Sequence, residues 1–126
     1  MATITPKLTV TGTAADWGAS INLSVSGSLT TGSPSKGISK ADVASGDTFI
    51  VMEDAAADGT TFVYIKNNNT SGSGYVELQS DDGNETFGTL NNGEFAWIPI
   101  DSNQGMQVLG AVSSVEIEYG YWTRTT

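Results

Sequence analysis

Short stretches that alternate between apolar and polar residues most constrain the fold of this chain. Apolar side chains occupy every second position of ASINLSVS (19–26), and KLTVTG (7–12) repeats the pattern. Because alternate side chains of a strand point to opposite faces, each stretch predicts a strand with one apolar face. Residues 47–53 and 60–66 are apolar at both parities, which predicts central strands covered on both sides. Further strands are predicted at 74–80, 94–100, 105–110 and 114–122.

Gly, Asn, Asp and Ser separate these stretches at short intervals. The segments 80–84, 91–93 and 102–105 predict tight turns in which a Gly or Asn residue adopts a positive φ. Helical signals are weak and are best at 39–47, which fits a strand ending at Val43 equally well. The chain is therefore predicted to consist of strands joined by polar turns.

Eight or nine short strands with polar turns predict an all-β fold, either a β-sandwich or a small barrel, and we favour a two-sheet antiparallel β-sandwich that is jelly-roll-like. Strand spacing alone does not separate a jelly roll from an immunoglobulin-like topology, but the paired cysteines typical of immunoglobulin domains are absent. No linker or internal repeat divides the 126 residues, so we expect a single domain covering residues 1–126.

The composition argues against several classes of function. The chain has no His and no Cys, so it lacks the usual general base near neutral pH and the commonest metal ligands. Fourteen acidic residues against five basic ones give a net charge of −9, which repels nucleic acid. No apolar run has the length of a membrane span, and the opening MATITPKLTV lacks the pattern of a signal peptide. We expect a soluble, non-enzymatic protein, made in the cytoplasm, with no membrane or nucleic-acid partner.

Two acidic turns raise the question of calcium, which prefers oxygen ligands. Neither turn fits the EF-hand pattern, and Asp and Asn are also ordinary turn formers. Glu116 and Glu118 share a strand face, as a glycosidase pair would, but no companion cluster of aromatic residues is evident. We therefore predict no metal site, no cofactor and no catalytic residue. The acidic turns comprise Asp81, Asp82 and Glu85 and, separately, Glu53, Asp54 and Asp58.

Several aromatic residues have no evident place in a core. Phe95 and Trp97 share one parity of residues 94–100, and the other parity is apolar as well. Pro99 cannot donate to a ladder, which favours an edge strand, and an edge strand with two apolar faces needs a covering partner. These aromatic residues either cap the ends of the sandwich or anchor an interface, where Trp and Tyr are enriched. The candidate interface residues are Trp17, Phe95, Trp97, Pro99 and Trp122.

Trp122 is the sharpest case, because it shares a parity with Glu116 and Glu118 on the last predicted strand. These glutamates should face water, so a tryptophan beside them would expose a large apolar ring. We predict that Trp122 packs across a boundary, against a neighbouring subunit or the N-terminal arm. The alternative is a bulge at Gly120 that reverses the parity and returns Trp122 to the core.

Three segments carry a resemblance to known proteins. They are FVYIKNNNTSGSGYVEL (62–78), TLNNGEFAWIPID (89–101) and VEIEYGYW (115–122). Together they resemble small virion structural proteins of tailed bacteriophages, especially marine ones. The shared outline is a strand ending in Tyr-Ile-Lys-Asn, a polar loop, a Leu-x-x-Gly-Glu-Phe turn, a strand with a proline, and a closing strand rich in Val, Glu and Tyr. It covers roughly half of the chain, and its motifs are those of a scaffold.

The resemblance implies a β-sandwich protein of the virion, placed on the capsid surface as a decoration or cement protein. Its implied partners are the major capsid protein or other virion proteins, and copies of itself, with a trimer as the expected oligomer. A tail or fibre location is similar in kind. The alternative function is a carbohydrate-binding or adhesion module, in which exposed tryptophans would stack on sugars.

Overall fold

The computed structural model describes residues 2–13, 20–54 and 59–125 of the chain. Every regular element within these ranges is a β-strand. The same ranges contain no helix long and apolar enough to cross a membrane. The chain divides into two compact units, Met1–Thr31 and Gly32–Thr126, which are described separately. The expectation of one domain over residues 1–126 stays a prediction.

The N-terminal unit consists of two short antiparallel pairings. Strand β1 (Ala2–Ile4) pairs with the first three residues of β4 (Leu29–Val43). Strands β2 (Lys7–Gly12) and β3 (Ile21–Ser26) form a hairpin whose register runs from Lys7↔Ser26 to Gly12↔Ile21. At the base of the hairpin, the backbone N–H of Gly27 donates to the carbonyl of Pro6 at 3.1 Å.

The C-terminal unit is a sandwich of two four-stranded sheets, ordered β4-β11-β6-β9 and β5-β10-β7-β8. Four of the neighbouring pairs nest inside one another along the chain, namely β4 with β11, β5 with β10, β6 with β9, and β7 with β8. This nesting of the first strand with the last, and so on inward, is the jelly-roll topology, which confirms the predicted fold class. Besides β4, the strands are β5 (Thr48–Met52), β6 (Thr60–Asn67), β7 (Tyr75–Gln79), β8 (Thr86–Leu90), β9 (Phe95–Asp101), β10 (Met106–Ala111) and β11 (Val115–Arg124).

The core of this unit lies between the two sheets, and the alternation of each strand explains which residues reach it. In β6 every second residue is buried and the residues between them are half-buried. One sheet contributes Val43, Val63, Ile65, Val115, Ile117 and Tyr119. The other contributes Val51, Met52, Val76, Leu78, Leu90, Met106 and Val108.

The described residues contain eleven strands, against the eight or nine predicted. The two that the pattern missed are β1, which is only three residues long, and β8, whose sequence TFGTL is interrupted by Gly88. The ambiguous segment at 39–47 is not helical, because β4 runs through it to Val43 and a turn with Gly46 at φ 82° follows.

The prediction of β5 as a central strand is wrong. It lies at the edge of its sheet, and Ile50 is 44% exposed. β5 is apolar at both parities for another reason: its register with β10 shifts at Met106/Gln107. Beside this irregularity the consecutive residues Val51 and Met52 are both buried in the core. The same prediction for β6 is confirmed in part: β11 and β9 flank it within the sheet, but its outward residues are only half-buried.

Candidate interaction surface

The outer surface of the β4-β11-β6-β9 sheet carries most of the aromatic residues that lack a core position. The strand register arranges them in cross-strand rows. One row is Gly120–Tyr64–Trp97, and the next is Trp122–Phe62–Pro99. A third row, Glu118–Lys66–Phe95, flanks them on one side. We call the set Phe62, Tyr64, Phe95, Trp97, Pro99 and Trp122 the aromatic face.

Three rings of the aromatic face stack on one another. Trp97 stacks with Phe62 at a centroid distance of 5.7 Å and with Trp122 at 5.6 Å, with interplanar angles of 25° and 27°. Stacked aromatic pairs add about 0.5–1.5 kcal/mol beyond the area that they bury. Phe95 has no such ring contact among the described residues, and it is 61% exposed. Trp97, at 36%, and half-buried Trp122 support each other, whereas Phe95 projects into solvent.

Gly120 explains how the Trp122 ring lies over the sheet. A Cβ atom at position 120 would come within 2.9 Å of the Trp122 Cη2 atom. The ring therefore covers the backbone of Gly120, which is itself buried. A side chain in this position would lift the ring away from the sheet surface, so the glycine is a local requirement of the stack.

A tight turn places Phe95 at the start of β9. Gly93 adopts φ 77°, and its N–H donates to the carbonyl of Asn67 at 2.9 Å. The Glu94 carboxylate accepts the backbone N–H of Asn91 at 2.7 Å, and the buried Asn67 Nδ2 donates to the carbonyl of Leu90 at 3.0 Å. These contacts give the Leu-x-x-Gly-Glu-Phe turn and the Tyr-Ile-Lys-Asn strand end a structural role.

Strand β9 is the edge of its sheet, as Pro99 predicts. Its outward residues Phe95, Trp97 and Pro99 are exposed, while Ile98 and Ile100 pack against the core. The inward face of β9 is apolar because it packs in the core. The outward face is apolar as well, although folding of the sandwich does not require it.

Polar groups at one margin of the aromatic face are held by hydrogen bonds. The Tyr64 hydroxyl donates to Glu118 Oε1 at 2.8 Å. Burial, followed by this hydrogen bond, raises the pKa of Tyr64 to about 12. Glu116 Oε1 accepts from Asn68 Nδ2 at 3.3 Å and lies 3.7 Å from Lys40 Nζ. Glu116 and Glu118 thus each have a partner within the chain.

The structure brings together four of the five candidate interface residues, namely Phe95, Trp97, Pro99 and Trp122. Trp17 lies outside the described residues. Phe62 and Tyr64 were missed, because residues 60–66 are apolar at both parities and their face cannot be assigned without the register. The pairing of Phe62 with Pro99 and of Tyr64 with Trp97 places them on the aromatic face.

The bulge alternative for Trp122 is wrong. The register between β11 and β6 is continuous from Ile117↔Asn67 to Thr123↔Thr61, so the parity does not reverse at Gly120. Trp122 therefore stays on the outer surface, half-buried by its stack with Trp97. That it packs across a boundary stays a prediction.

The acidic turn at 80–84 is closed by its own side chains. Asp82 Oδ1 accepts from Ser80 Oγ at 2.6 Å and from the backbone N–H of Asn84 at 3.0 Å. The hydrogen bond from Ser80 is the main reason that the pKa of Asp82 lies below its usual value. Within the described ranges, no group of three or more acidic residues is placed to hold a metal ion. Asp58, a member of the other acidic turn, lies outside those ranges.

No protein-family model matches this chain, and no curated protein matches it. Among solved structures, the chain is similar to one described as Bacillus endospore appendages, a novel family of disulfide-linked pili. The TM-score is 0.43 at 16% identity, and the likeness covers 72% of this chain and 91% of that chain. A score and an identity this low transfer neither the function nor the assembly of that protein to this chain, which moreover has no cysteine.

Proposed function

We propose that this chain is a non-enzymatic structural protein of a bacteriophage particle, a capsid decoration or cement protein that binds its neighbour through the aromatic face. The observation that carries the proposal is that Phe95, Trp97 and Pro99 are all exposed on the outer surface of the edge strand β9. Interfaces are enriched in such side chains, and hot spots are most often Trp, Tyr and Arg. The resemblance to small virion proteins supplies the kind of particle.

The charge of the chain indicates which forces would hold it there. At a net charge of −9, attachment to an acidic surface is opposed, so apolar and backbone contacts must supply most of the affinity. Phe95 is the residue best placed for this, because its ring is 61% exposed and stacks on no other described ring. A pocket on the partner that accepts this ring would remove it from water without disturbing the Phe62–Trp97–Trp122 stack.

Co-sedimentation with capsids that lack the protein tests the proposal. Phe95→Ser should weaken binding at least tenfold, because it removes the projecting ring. Phe87→Ser is the matched control, since Phe87 is 49% exposed and lies on β8 of the other sheet. The control should bind as the native chain does. Equal binding by both variants, or no binding by the native chain, would overturn the proposal.

The proposal includes assembly with copies of itself, and the resemblance implies a trimer. Light scattering at tens of micromolar should then give a mass above that of one chain. A monomer mass in solution together with single copies on the particle would contradict this part of the proposal.

A carbohydrate-binding or adhesion module is the second candidate. Jelly rolls occur in lectins as well as in viral capsid proteins, so the fold suits both functions. The exposed Phe95 ring favours this candidate too, because sugars stack on open ring faces. A panel of oligosaccharides titrated against the native chain and Phe95→Ser distinguishes the two: saturable sugar binding lost in the variant supports the module.

A further inference from the structure

The β2–β3 hairpin of the N-terminal unit presents a second apolar surface, separate from the aromatic face. The register pairs Leu8 with Val25 and Val10 with Leu23, and it sets Gly12 opposite Ile21. Paired residues share a face, so the five aliphatic side chains lie together on one side of the hairpin. They are 38–51% exposed. We call Leu8, Val10, Ile21, Leu23 and Val25 the hairpin face.

A hairpin in this state lacks a source of stability. An isolated two-stranded ribbon is marginal in water and needs a further layer against its apolar face. Every residue of β3 is exposed, and only Gly12 of β2 is partly covered. The strict alternation of aliphatic and Ser, Thr or Asn side chains nevertheless indicates one dry and one wet face. The dry face therefore requires a covering layer from outside the hairpin.

We infer that the covering layer is the hairpin face of a second copy of this chain. The charge distribution supports this occupant. The whole chain carries a net charge of −9, which opposes contact between copies, yet Lys7 is the only charged residue of β2 and β3. The hairpin is thus a place where two copies meet without acidic repulsion. The hairpin face has no charged side chain through which a different protein could be selected by charge.

The shape of the hairpin face also suits a copy of itself. Two full aliphatic pairs, Leu8–Val25 and Val10–Leu23, occupy one end, and the other end has Ile21 alone because Gly12 has no side chain. A two-fold axis through the Val10–Leu23 pair sets the full end of one hairpin over the tapered end of the other. It also places the two Lys7 residues at opposite ends of the contact. In such packing the two two-stranded hairpins lie face to face, about 10 Å apart, as the sheets of a sandwich do.

The contact is expected to be weak on its own. Five side chains, each about half exposed, supply roughly half of the ~800 Å² per partner that standard interfaces bury. Because contacts of this size are weak or transient, we expect the doubling only at micromolar concentrations or above. The pairing uses none of the residues of the aromatic face.

Sedimentation equilibrium of the full chain from about 1 to 500 μM tests the inference. The native mass should double with concentration, and Leu23→Asp should weaken this doubling at least tenfold. Asn22→Asp adds the same charge to the opposite face of β3 and should leave the doubling unchanged. Phe95→Ser should also leave it unchanged, which separates this contact from the proposed function.

Cross-linking covers the case in which Leu23→Asp unfolds the hairpin. The chain has no cysteine, so single replacements report one site each. Leu23→Cys, close to the two-fold axis, should form covalent dimers with a bismaleimide of about 10 Å span, whereas Ser24→Cys on the wet face should not. The inference is overturned by a mass that never doubles, by equal cross-linking of both cysteine variants, or by loss of doubling in Phe95→Ser.

Discussion

Replacing Gly120 with alanine tests how the aromatic face is built. The new Cβ would lie 2.9 Å from Trp122 Cη2, 3.2 Å from the Lys36 carbonyl oxygen and 3.3 Å from Ile38 Cδ1. Such overpacking costs about 1–3 kcal/mol, while removing a glycine from a strand offsets about 0.5–1 kcal/mol of that. We expect Gly120→Ala to lower the free energy of unfolding by about 0.5–2 kcal/mol.

A double-mutant cycle with Trp122→Ala isolates the contact between residue 120 and the ring. Trp122→Ala alone should cost about 2–3 kcal/mol, from partial burial of the ring and its stack with Trp97. Once the ring is absent, the closest contact is gone and Gly120→Ala should be nearly neutral. The coupling free energy is therefore about 0.5–2 kcal/mol.

Urea unfolding followed by far-UV circular dichroism is the suitable assay, because Trp122→Ala changes the fluorescence signal itself. Two changes that add within about 0.3 kcal/mol would show that the ring does not lie over Gly120. Gly120→Ala should also weaken capsid binding without abolishing folding, since a lifted Trp122 ring disturbs its stack with Trp97 and with it the surface that the partner meets.

Three further outcomes are expected. The pKa of Tyr64 is raised to about 12, so the neutral form is favoured in the fold; the resulting stability is complete below pH 10 and is lost as the pH rises from 10 to 12. The free energy of unfolding should therefore fall less between pH 10 and 12 in Tyr64→Phe than in the native chain. Chelation with EDTA should move the melting temperature by less than about 5 °C, a shift worth roughly 1 kcal/mol here, and a larger drop would identify the acidic turns as metal ligands. Added salt should weaken attachment to capsids little, whereas release by modest salt alone would point to a basic patch on the partner.

Local sequence patterns predict the strands of this molecule better than they predict which distant strands pair. Alternation identifies β11, runs that are apolar at both parities identify β6 and β9, and Pro99 correctly indicates an edge strand. The nesting of β4 with β11 joins segments far apart in the chain, and no local pattern specifies which distant strands pair. The jelly-roll expectation therefore rested on strand number and on exclusion of the immunoglobulin hallmark.

The members of the aromatic face show the same division. Phe95 and Trp97 are predictable as candidate interface residues, because Pro99 on the same parity indicates an edge strand whose two apolar faces need a cover. Phe62 and Tyr64 are not, because β6 is apolar at both parities and only the pairing with β9 reveals which face they share. The position of Trp122 was open between two parities until the continuous register with β6 decided it.

The two outer surfaces of the sandwich differ in a way that folding alone does not demand. On the β5-β10-β7-β8 sheet, Gln107 Nε2 donates to Gln79 Oε1 at 2.9 Å, and Gln79 Nε2 donates to Thr86 Oγ1 at 3.2 Å. Hydrogen-bonded amides thus form one cross-strand row at an end of that sheet, whereas the opposite sheet has stacked rings. Both surfaces lie outside the same core, so amides would serve equally well on either. A stack of rings on one side only is what the proposed one-sided attachment would use, because a single neighbour can cover all three rings, whereas the exposed Phe87 of the other sheet has no ring contact among the described residues.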